Sequence, residues 1–376
     1  MTTLRLLRTQ LVPAALAMGI ALAIASIALL INGNNPITAY QAMWSNLDGT
    51  ANIVTVVNDA AVYYVAGVAL ALGFKMNLFN IGANGQFVLA ALAAGVIGGK
   101  ADLPAPLHIA LMLGVAMFTG GIWAGIAGVL KAYRGVNEVV ATIMLNGIAG
   151  GLTGYLLRTY FRVKGDMAAH TETLRMSGRL PNLDRLLKVF GFHIPTGTPL
   201  FSFVLIAIVV GIGFRVLIYR SRFGFDLRAS GINPRAARSS GVDPRRMILI
   251  TMVLSGALAG LSAMSTLMSK QFEYGDRFPT QIGFTAIGIA LLGQNHPTGI
   301  AVAAFVYAAI EQGSRNLANV GVPAEIGQIL QGSLLFMAVI VYAVAVRRNQ
   351  AKDMEAAARA AVAKTASPAN VRGATS

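Results

Sequence analysis

Long apolar runs recur along this chain, and they restrict its fold more than any other feature. The first extends from Leu11 to Ile31, which as a helix is roughly 31 Å long and sufficient to cross a bilayer core. A backbone inside lipid must satisfy its own hydrogen bonds, so runs of this length form helices. Only 12% of the residues are charged, against about 25% in soluble domains. The sequence therefore predicts an all-α, polytopic integral membrane protein.

The runs predict about ten transmembrane helices. Their approximate bounds are residues 11–31, 54–74, 80–97, 105–130, 139–160, 199–219, 247–268, 282–293, 299–312 and 326–346. A signal peptide is the alternative for the first run, but its apolar region would be about 7–15 residues long, so we expect a retained span. An even number of spans places both termini on one side, and the distribution of Lys and Arg places that side in the cytoplasm.

We expect one transmembrane permease domain, residues 1–350, followed by a cytoplasmic tail, residues 351–376. The tail is Ala-rich and then polar, which predicts one helix near Asp353 to Lys364 and partial disorder. The basic segment 161–197 falls outside in the ten-span topology, against the positive-inside rule. We expect it to lie flat on the membrane surface.

A basic loop, residues 220–246, separates the sixth and seventh spans and contains a short helix with a signal at each end. Asn233 suits the N-cap, Pro234 the first helical position and Gly241 the left-handed stop. Arg235 and Arg238 are three residues apart and share one face. The pattern favours a surface that docks a cytoplasmic partner. An ordinary positive-inside loop is the alternative, and it explains the charge but not the paired caps.

The central loop divides ten spans into two halves of five, and repeats with an odd number of spans would be inverted relative to one another. The third span of each half is interrupted by glycines and amides, at residues 80–86 and at residues 293–297. Interrupted segments at matching positions indicate the substrate path in inverted-repeat transporters, so Asn80, Asn84 and Gln86 are candidate path residues. The alternative is that these glycines only allow close helix packing.

Polar groups inside spans are costly and usually functional. Asn146 is a further path candidate, and Asp59 lies deep enough to form a buried pair or to line the path. Glu138 and Glu311 fall near the predicted interfaces, where we expect solvated carboxylates. Uncharged amides outnumber paired charges, which favours a neutral polar solute.

Several classes of function are excluded by what the chain lacks. It has no cysteine, its four histidines show no metal-ligand spacing, and no phosphate-binding GxxxxGK[ST] motif occurs. We expect no metal, no cofactor and no catalysis by this chain. The net charge of +15 could suggest nucleic acid, but the basic residues lie between apolar runs, so we expect them to face membrane lipid instead. An ion-coupled secondary transporter should have intramembrane acid pairs, which only Asp59 suggests; a structural or signalling membrane protein fits less well.

Four segments in order resemble permease subunits of bacterial ABC importers for nucleosides and simple sugars, a family that also includes branched-chain amino acid permeases. They are KMNLFNIGANGQ (75–86), GVNEVVATIMLNG (135–147), RASGINPRAARSSGV (228–242) and GFTAIGIALLGQNHPTG (283–299). The resemblance covers roughly residues 50–345 and is closer to the larger nucleoside-type permease than to the ribose permease. It departs at Asn84, where Glu is more usual.

The resemblance implies a permease for nucleosides or purine bases in the bacterial inner membrane, working by alternating access. ATP hydrolysis would occur in a separate cytoplasmic ATPase subunit, with a second related permease and an external solute-binding lipoprotein as further partners. A simple sugar is the alternative cargo, and branched-chain amino acids are a third. It also implies which residues act: the coupling residues would be Gly231, Asn233, Pro234, Arg235, Arg238 and Gly241, and the path residues Asn80, Asn84, Gln86 and Asn146.

Overall fold

The computed structural model describes residues 3–184, 188, 197–323 and 325–365, and the fold it gives is helical. In chain order the α-helices are α1 Thr3–Ile31, α2 Pro36–Ser45, α3 Thr50–Phe74, α4 Ala83–Lys100, α5 Ala105–Arg134, α6 Glu138–Leu156, α7 Phe203–Arg220, α8 Arg222–Ile232, α9 Pro234–Ser239, α10 Pro244–Ser265, α11 Ile282–Leu292, α12 Pro297–Ser314 and α13 Glu325–Thr365. Short π-helical turns extend α6 through Phe161 and α10 through Gln271. Strand pairing in these residues is limited to two isolated bridges.

Five of the described helices, α3, α5, α6, α7 and α10, are long and apolar enough to cross a membrane, which confirms a polytopic all-helical protein. The pair formed by α1 and α2 passes the same test together but is bent by 118°. The sequence predicted no helix between the spans at 11–31 and 54–74, so α2 was missed. Its start is marked by Asn35, whose side chain accepts the Ile37 N–H, and by Pro36 in the first turn. The Tyr40 hydroxyl donates to the Leu22 carbonyl and so holds α2 against α1.

The centre of the molecule is formed by α3 and α10, because 67% of the apolar stretch of each helix is buried. Close approach of α10 to α5 depends on small residues. A Cβ on Gly120 would overlap the Gly256 carbonyl, and one on Gly260 would overlap the Ala116 carbonyl. Such contacts bring helix backbones together where lipid supplies no hydrophobic drive for helix association.

One end of the bundle carries the basic loop, and we call it the basic end. The turn that follows α3 meets α8 there, because the Asn77 side chain donates to the Gly231 carbonyl at 2.7 Å. The turn between α11 and α12 also lies at this end, where His296 packs on Tyr219 at the end of α7. The opposite end carries residues 161–184 and the loop 272–281, joined by backbone hydrogen bonds such as Thr171 N–H to Tyr274 O at 2.8 Å.

The helices α4 and α11 begin against each other inside the bundle. A Cβ on Gly283 would overlap the backbone of Asn84, so this position tolerates only glycine without movement. Each helix follows a non-helical approach, residues 75–82 and residues 272–281. The predicted counterpart of residues 80–86 was 293–297, but that segment is a tight turn with Gln294 and Asn295 at positive φ, away from the meeting point. The structure thus pairs the start of α4 with the start of α11 instead.

The final helix α13 continues without a break past residue 350 to Thr365, so the helix expected near residues 353–364 is the end of a longer one. The tail beyond residue 365, and residues 185–187 and 189–196 of the basic segment 161–197, lie outside the described residues. The division into a permease domain and a tail, and the course of the basic segment, stay predictions.

Candidate solute path and coupling surface

The short helix α9 has the caps that the sequence predicted. The Asn233 side chain accepts the N–H groups of Arg235 and Ala236, both at 3.1 Å. Pro234 occupies the first turn, and Gly241 follows the helix at φ +83°. These contacts satisfy N–H groups that a two-turn helix cannot satisfy internally. The helix can therefore hold its shape as an exposed projection.

The outward face of α9 is cationic. Arg235 and Arg238 are exposed, whereas Ala237 is buried and anchors the helix to the protein. Neither arginine forms an ion pair with any acid in the described part of the chain. Two unpaired guanidinium groups on one short helix are available to an acidic groove on another protein.

The basic loop is joined to the interior by backbone packing. A Cβ on Gly231 would lie 2.7 Å from the Cα of Met76, so the end of α8 touches the chain that follows α3. Met76 also accepts a hydrogen bond from Thr251 of α10 at 3.3 Å. The segment 76–77 is thus held between α8 and α10, the two helices that precede and follow α9 in sequence.

Two of the sequence candidates, Asn80 and Gln86, pair with each other. The Asn80 amide donates to Gln86 and the Gln86 amide donates back, both at 2.9 Å, and each residue is 1% exposed. Asn80 also donates to Ser255 of α10, which in turn donates to the Ala69 carbonyl of α3. A buried network satisfied in this way fixes α3, α4 and α10 relative to one another.

Two other candidates, Asn84 and Asn146, line a cavity of about 220 Å³. The Asn146 side chain holds the start of α4, because it donates to Ile81 O at 2.7 Å and accepts the Gly85 N–H at 2.8 Å. We call this cavity the path cavity after the role predicted for these two residues, and its other lining residues are Val88, Gly150, Thr153, Gly154, Leu157, Tyr274, Gly275, Asp276, Phe278 and Thr280.

Asn84 lines the path cavity beside aromatic rings, and its side-chain oxygen is an unsatisfied acceptor. The Asn84 Oδ1 is buried and accepts no hydrogen bond from the described residues. Tyr274 and Phe278 pack at 5.1 Å between ring centroids in the wall. Asp276 and Thr280 are exposed at the rim, and Arg158 pairs with Asp276 at 3.3 Å. A buried acceptor without a donor is costly unless a ligand supplies the donor. The cavity suits a small polar solute with N–H or O–H groups and an apolar face.

Asp59 lies elsewhere, nearer α12 than the path cavity. Its carboxylate pairs with Lys270 and, at 3.7 Å, with Arg315. Glu311 lies in the same cluster and accepts a hydrogen bond from Tyr63. The structure therefore separates Asp59 from the amide candidates.

Glu138 was expected to be a solvated carboxylate, and that expectation is wrong. The residue is 7% exposed and pairs with Lys131 of α5 at 2.8 Å. The two residues flank the tight turn at Gly135, which brings the ends of α5 and α6 together.

A contact that the sequence did not predict joins residues 161–184 to the loop 272–281 beside the cavity. His170 Nδ1 donates to the Thr171 carbonyl and Nε2 to Asp166, while Glu273 lies at 3.5 Å. The Thr171 carbonyl and the two carboxylates raise the pKa of His170, although burial opposes the rise. Glu273 is 103 residues from His170 in sequence, and no local pattern reveals their contact.

The described residues contain no cluster of three or more possible metal ligands.

The chain matches the family described as branched-chain amino acid transport system / permease component over residues 52–339. It is 31% identical to the guanosine ABC transporter permease protein NupP of Bacillus subtilis over 332 residues, 88% of this chain and 93% of the relative. It is 32% identical to the glucose ABC transporter permease protein TsgB13 of Haloferax volcanii, covering 85% of this chain and 84% of the relative. It is 28% identical to the nucleoside ABC transporter permease protein NupB of Lactococcus lactis, covering 88% and 91%. No solved structure matches it.

Proposed function

The chain belongs to the family of permease components of the branched-chain amino acid transport type, and from that premise we propose that it is the membrane subunit of an ATP-driven importer for nucleosides or purine bases. The observation that carries the proposal is the unsatisfied Asn84 acceptor in an aromatic-walled cavity, in a chain whose relatives include guanosine and nucleoside permeases. A purine presents N–H donors at its edge and a flat apolar face, which fits both features.

A simple sugar is the second candidate, supported by the glucose permease among the relatives. Sugar hydroxyls could satisfy Asn84 equally well. The Tyr274 and Phe278 pair offers a stacking surface that a base uses more fully than a sugar does, which favours the nucleoside.

The proposed mechanism is alternating access without chemistry on the solute. ATP binding and hydrolysis in a separate cytoplasmic ATPase would move α9, which docks through Arg235 and Arg238. The motion would pass through Gly231 to Met76 and Asn77, and from there to the Asn80–Gln86 network at the start of α4. Asn84 follows in the same segment, so a shift of α4 would alter the cavity. In this scheme Asn84 and Asn146 contact the solute, Asn80 and Gln86 position α4, and Asp59 stabilises the outer end of the bundle.

We further propose ten spans in two inverted halves of five, with both termini cytoplasmic in the bacterial inner membrane. The spans would be α1, α3, α4, α5 and α6, then α7, α10, α11, α12 and α13. Support comes from the meeting of α4 and α11 at Asn84 and Gly283, each being the third helix of its half after a non-helical approach. The short α11 is completed by the extended loop 272–281.

The partners would be the ATPase, a second related permease and an external solute-binding lipoprotein. A second permease is consistent with the outer face of α6, where Ile143, Met144 and Ile148 are exposed. Nucleic acid is not among the expected partners, because the basic residues of the loop 220–246 lie between apolar runs.

Uptake of labelled adenosine and labelled ribose, each with the other unlabelled solute as competitor, tests the cargo in cells with and without the gene. Loss of adenosine uptake alone, restored by the intact gene but not by Asn233→Leu, would support the importer and its coupling helix. Loss of ribose uptake alone would show that the cargo is a sugar. Unchanged uptake of both would refute the proposed cargo.

A further inference from the structure

A second cavity, of about 380 Å³, opens sideways between α3, α7 and α12, on a different face from the path cavity. We call it the lateral groove. Its walls are apolar apart from three groups: the Tyr64 hydroxyl, Thr298 and Arg215. Thr298 is already bonded to His296 at 2.8 Å. The Tyr64 hydroxyl has no hydrogen-bond partner in the described part of the chain, and it lies against Gly211.

Arg215 is the unusual member of the lateral groove. It is exposed on α7 about 7 Å, or five residues, before the helix ends at Arg220. Charged side chains in such a position are costly without a partner. No carboxylate among the described residues pairs with Arg215, and it forms no other polar contact with them.

A positive field extends from Arg215 toward the basic end. Lys75 lies over the Tyr219 ring at 5.6 Å from its centroid, and Arg228 approaches the same ring. His296 packs on Tyr219, and its pKa is lowered by burial and then by the charges of Lys75 and Arg215. The apolar slot therefore ends in a group of cations beside the ends of α3 and α7, and grouped cations next to a membrane span attract anionic lipid headgroups.

We propose that the lateral groove is a binding site for one anionic phospholipid of the inner leaflet. One acyl chain would lie between α3, α7 and α12, the phosphate would contact Arg215, and the Tyr64 hydroxyl would donate to an ester carbonyl. Charge complementarity selects this occupant: a neutral lipid would leave Arg215 unpaired, and a solute from the aqueous phase would meet almost entirely apolar walls. The site is separate from the path cavity, so the proposal does not depend on the cargo.

Occupancy of this site would act on coupling, because α7 continues directly into the loop that carries α9. Ser221 ends α7 and caps α8 by accepting the Gly224 N–H at 3.0 Å. A lipid wedged along α7 would fix the position from which α8 and α9 project.

Native mass spectrometry of the full-length protein, purified with the subunits that accompany it, tests the site. The probes are dioleoylphosphatidylglycerol, dioleoylphosphatidylcholine and inorganic phosphate. We expect the anionic lipid to bind about tenfold more tightly than the neutral one, which is about 1.4 kcal/mol. Arg215→Gln should remove this preference and Arg215→Lys should retain most of it. Arg134→Gln, an exposed arginine at the end of α5, is the matched control and should retain it fully.

A steric variant tests the acyl chain separately. Ala301 is exposed in the lateral groove, so Ala301→Trp should weaken binding of both lipids at least fivefold without burying the new ring in the core. Val209→Trp, on an exposed position of α7 outside the groove, should leave binding unchanged. Equal affinity for the two lipids, or unchanged binding in Ala301→Trp, would overturn the proposal. Displacement of the lipid by inorganic phosphate would also overturn it, because the phosphate alone would then be the ligand.

Discussion

Substitution of Gly231 by alanine is the sharpest test of the contact between the basic loop and the interior of the bundle. The added Cβ would lie 2.7, 2.8 and 2.9 Å from the Cα, C and O atoms of Met76. All three atoms belong to the backbone and cannot rotate away. Ordinary contacts between carbon atoms are about 3.5–4.0 Å long, so α8 and the segment after α3 must separate by roughly 1 Å.

The separation would also stretch the hydrogen bond from Asn77 to the Gly231 carbonyl, which is 2.7 Å long. Overpacking of this kind costs about 1–3 kcal/mol. If this cost destabilises the conformation in which α9 is docked on the ATPase, the coupling between ATP hydrolysis and transport should weaken by about 5–150-fold. We therefore expect uptake by Gly231→Ala to fall at least about fivefold while the partner ATPase continues to hydrolyse ATP.

The assay compares solute uptake and ATP hydrolysis in membrane vesicles that contain equal amounts of wild-type and variant protein. Gly213→Ala is the matched control, since a Cβ at Gly213 on α7 meets no atom within 4 Å. Normal uptake by Gly231→Ala at normal expression would refute the proposed route from α9 to the segment 76–77. Equal loss in both variants would show that the defect is a general one of α7 and α8.

Three further substitutions test individual contacts by thermal unfolding. Gln86→Leu leaves the Asn80 amide without its buried partner and should cost about 1–3 kcal/mol, whereas exposed Gln41→Leu should change stability by less than about 0.5. Asp59→Asn leaves the partly buried Lys270 unpaired and should cost about 2 kcal/mol, part of which Lys270→Gln should restore; no recovery in the double variant would contradict the pairing. The raised pKa of His170 stabilises the fold below its unfolded value, about 6.5, and this stabilisation is lost as pH rises through the folded pKa. The wild-type midpoint should accordingly drop between pH 6 and pH 8 by more than that of His170→Gln, and equal drops would contradict the assignment.

Local signals in the sequence predicted the elements that depend on local chemistry. The caps at Asn233 and Gly241 were readable because each satisfies backbone groups within a few residues. The end of α3 at Phe74 was predicted because basic Lys75 follows an apolar run, whereas α5 extends four residues past the predicted end at residue 130, to Arg134. The helix α2 was missed because it is short and lies in a polar stretch, although Asn35-Pro36 marks its start.

The separate roles of the three amide side chains could not be predicted from the sequence. Asn80, Asn84 and Gln86 occupy one short motif, and only packing decides which of them is satisfied. Asn80 meets Ser255 from the far half of the chain, whereas Asn84 meets the backbone at Gly283 and keeps an unsatisfied oxygen. Glu138 was misjudged for the same reason, since its partner Lys131 is brought near by the turn at Gly135. Long-range contacts of this kind leave no periodicity in the sequence.

Protection of single cysteines by solute tests the path cavity most directly. The chain has no native cysteine, so each introduced thiol is the only one in this subunit. Asn84→Cys and Thr280→Cys place thiols on the wall and rim of the path cavity, and Val209→Cys places one on an exposed face of α7. The rate at which a maleimide labels the thiol in intact cells is measured in the presence of adenosine, in the presence of ribose and without either solute. We predict that adenosine slows labelling at Asn84→Cys and Thr280→Cys severalfold, that ribose does so less, and that Val209→Cys is indifferent to both. Equal labelling rates at both cavity positions with and without solute, in cells that still take up adenosine, would contradict the assignment of this cavity to the path.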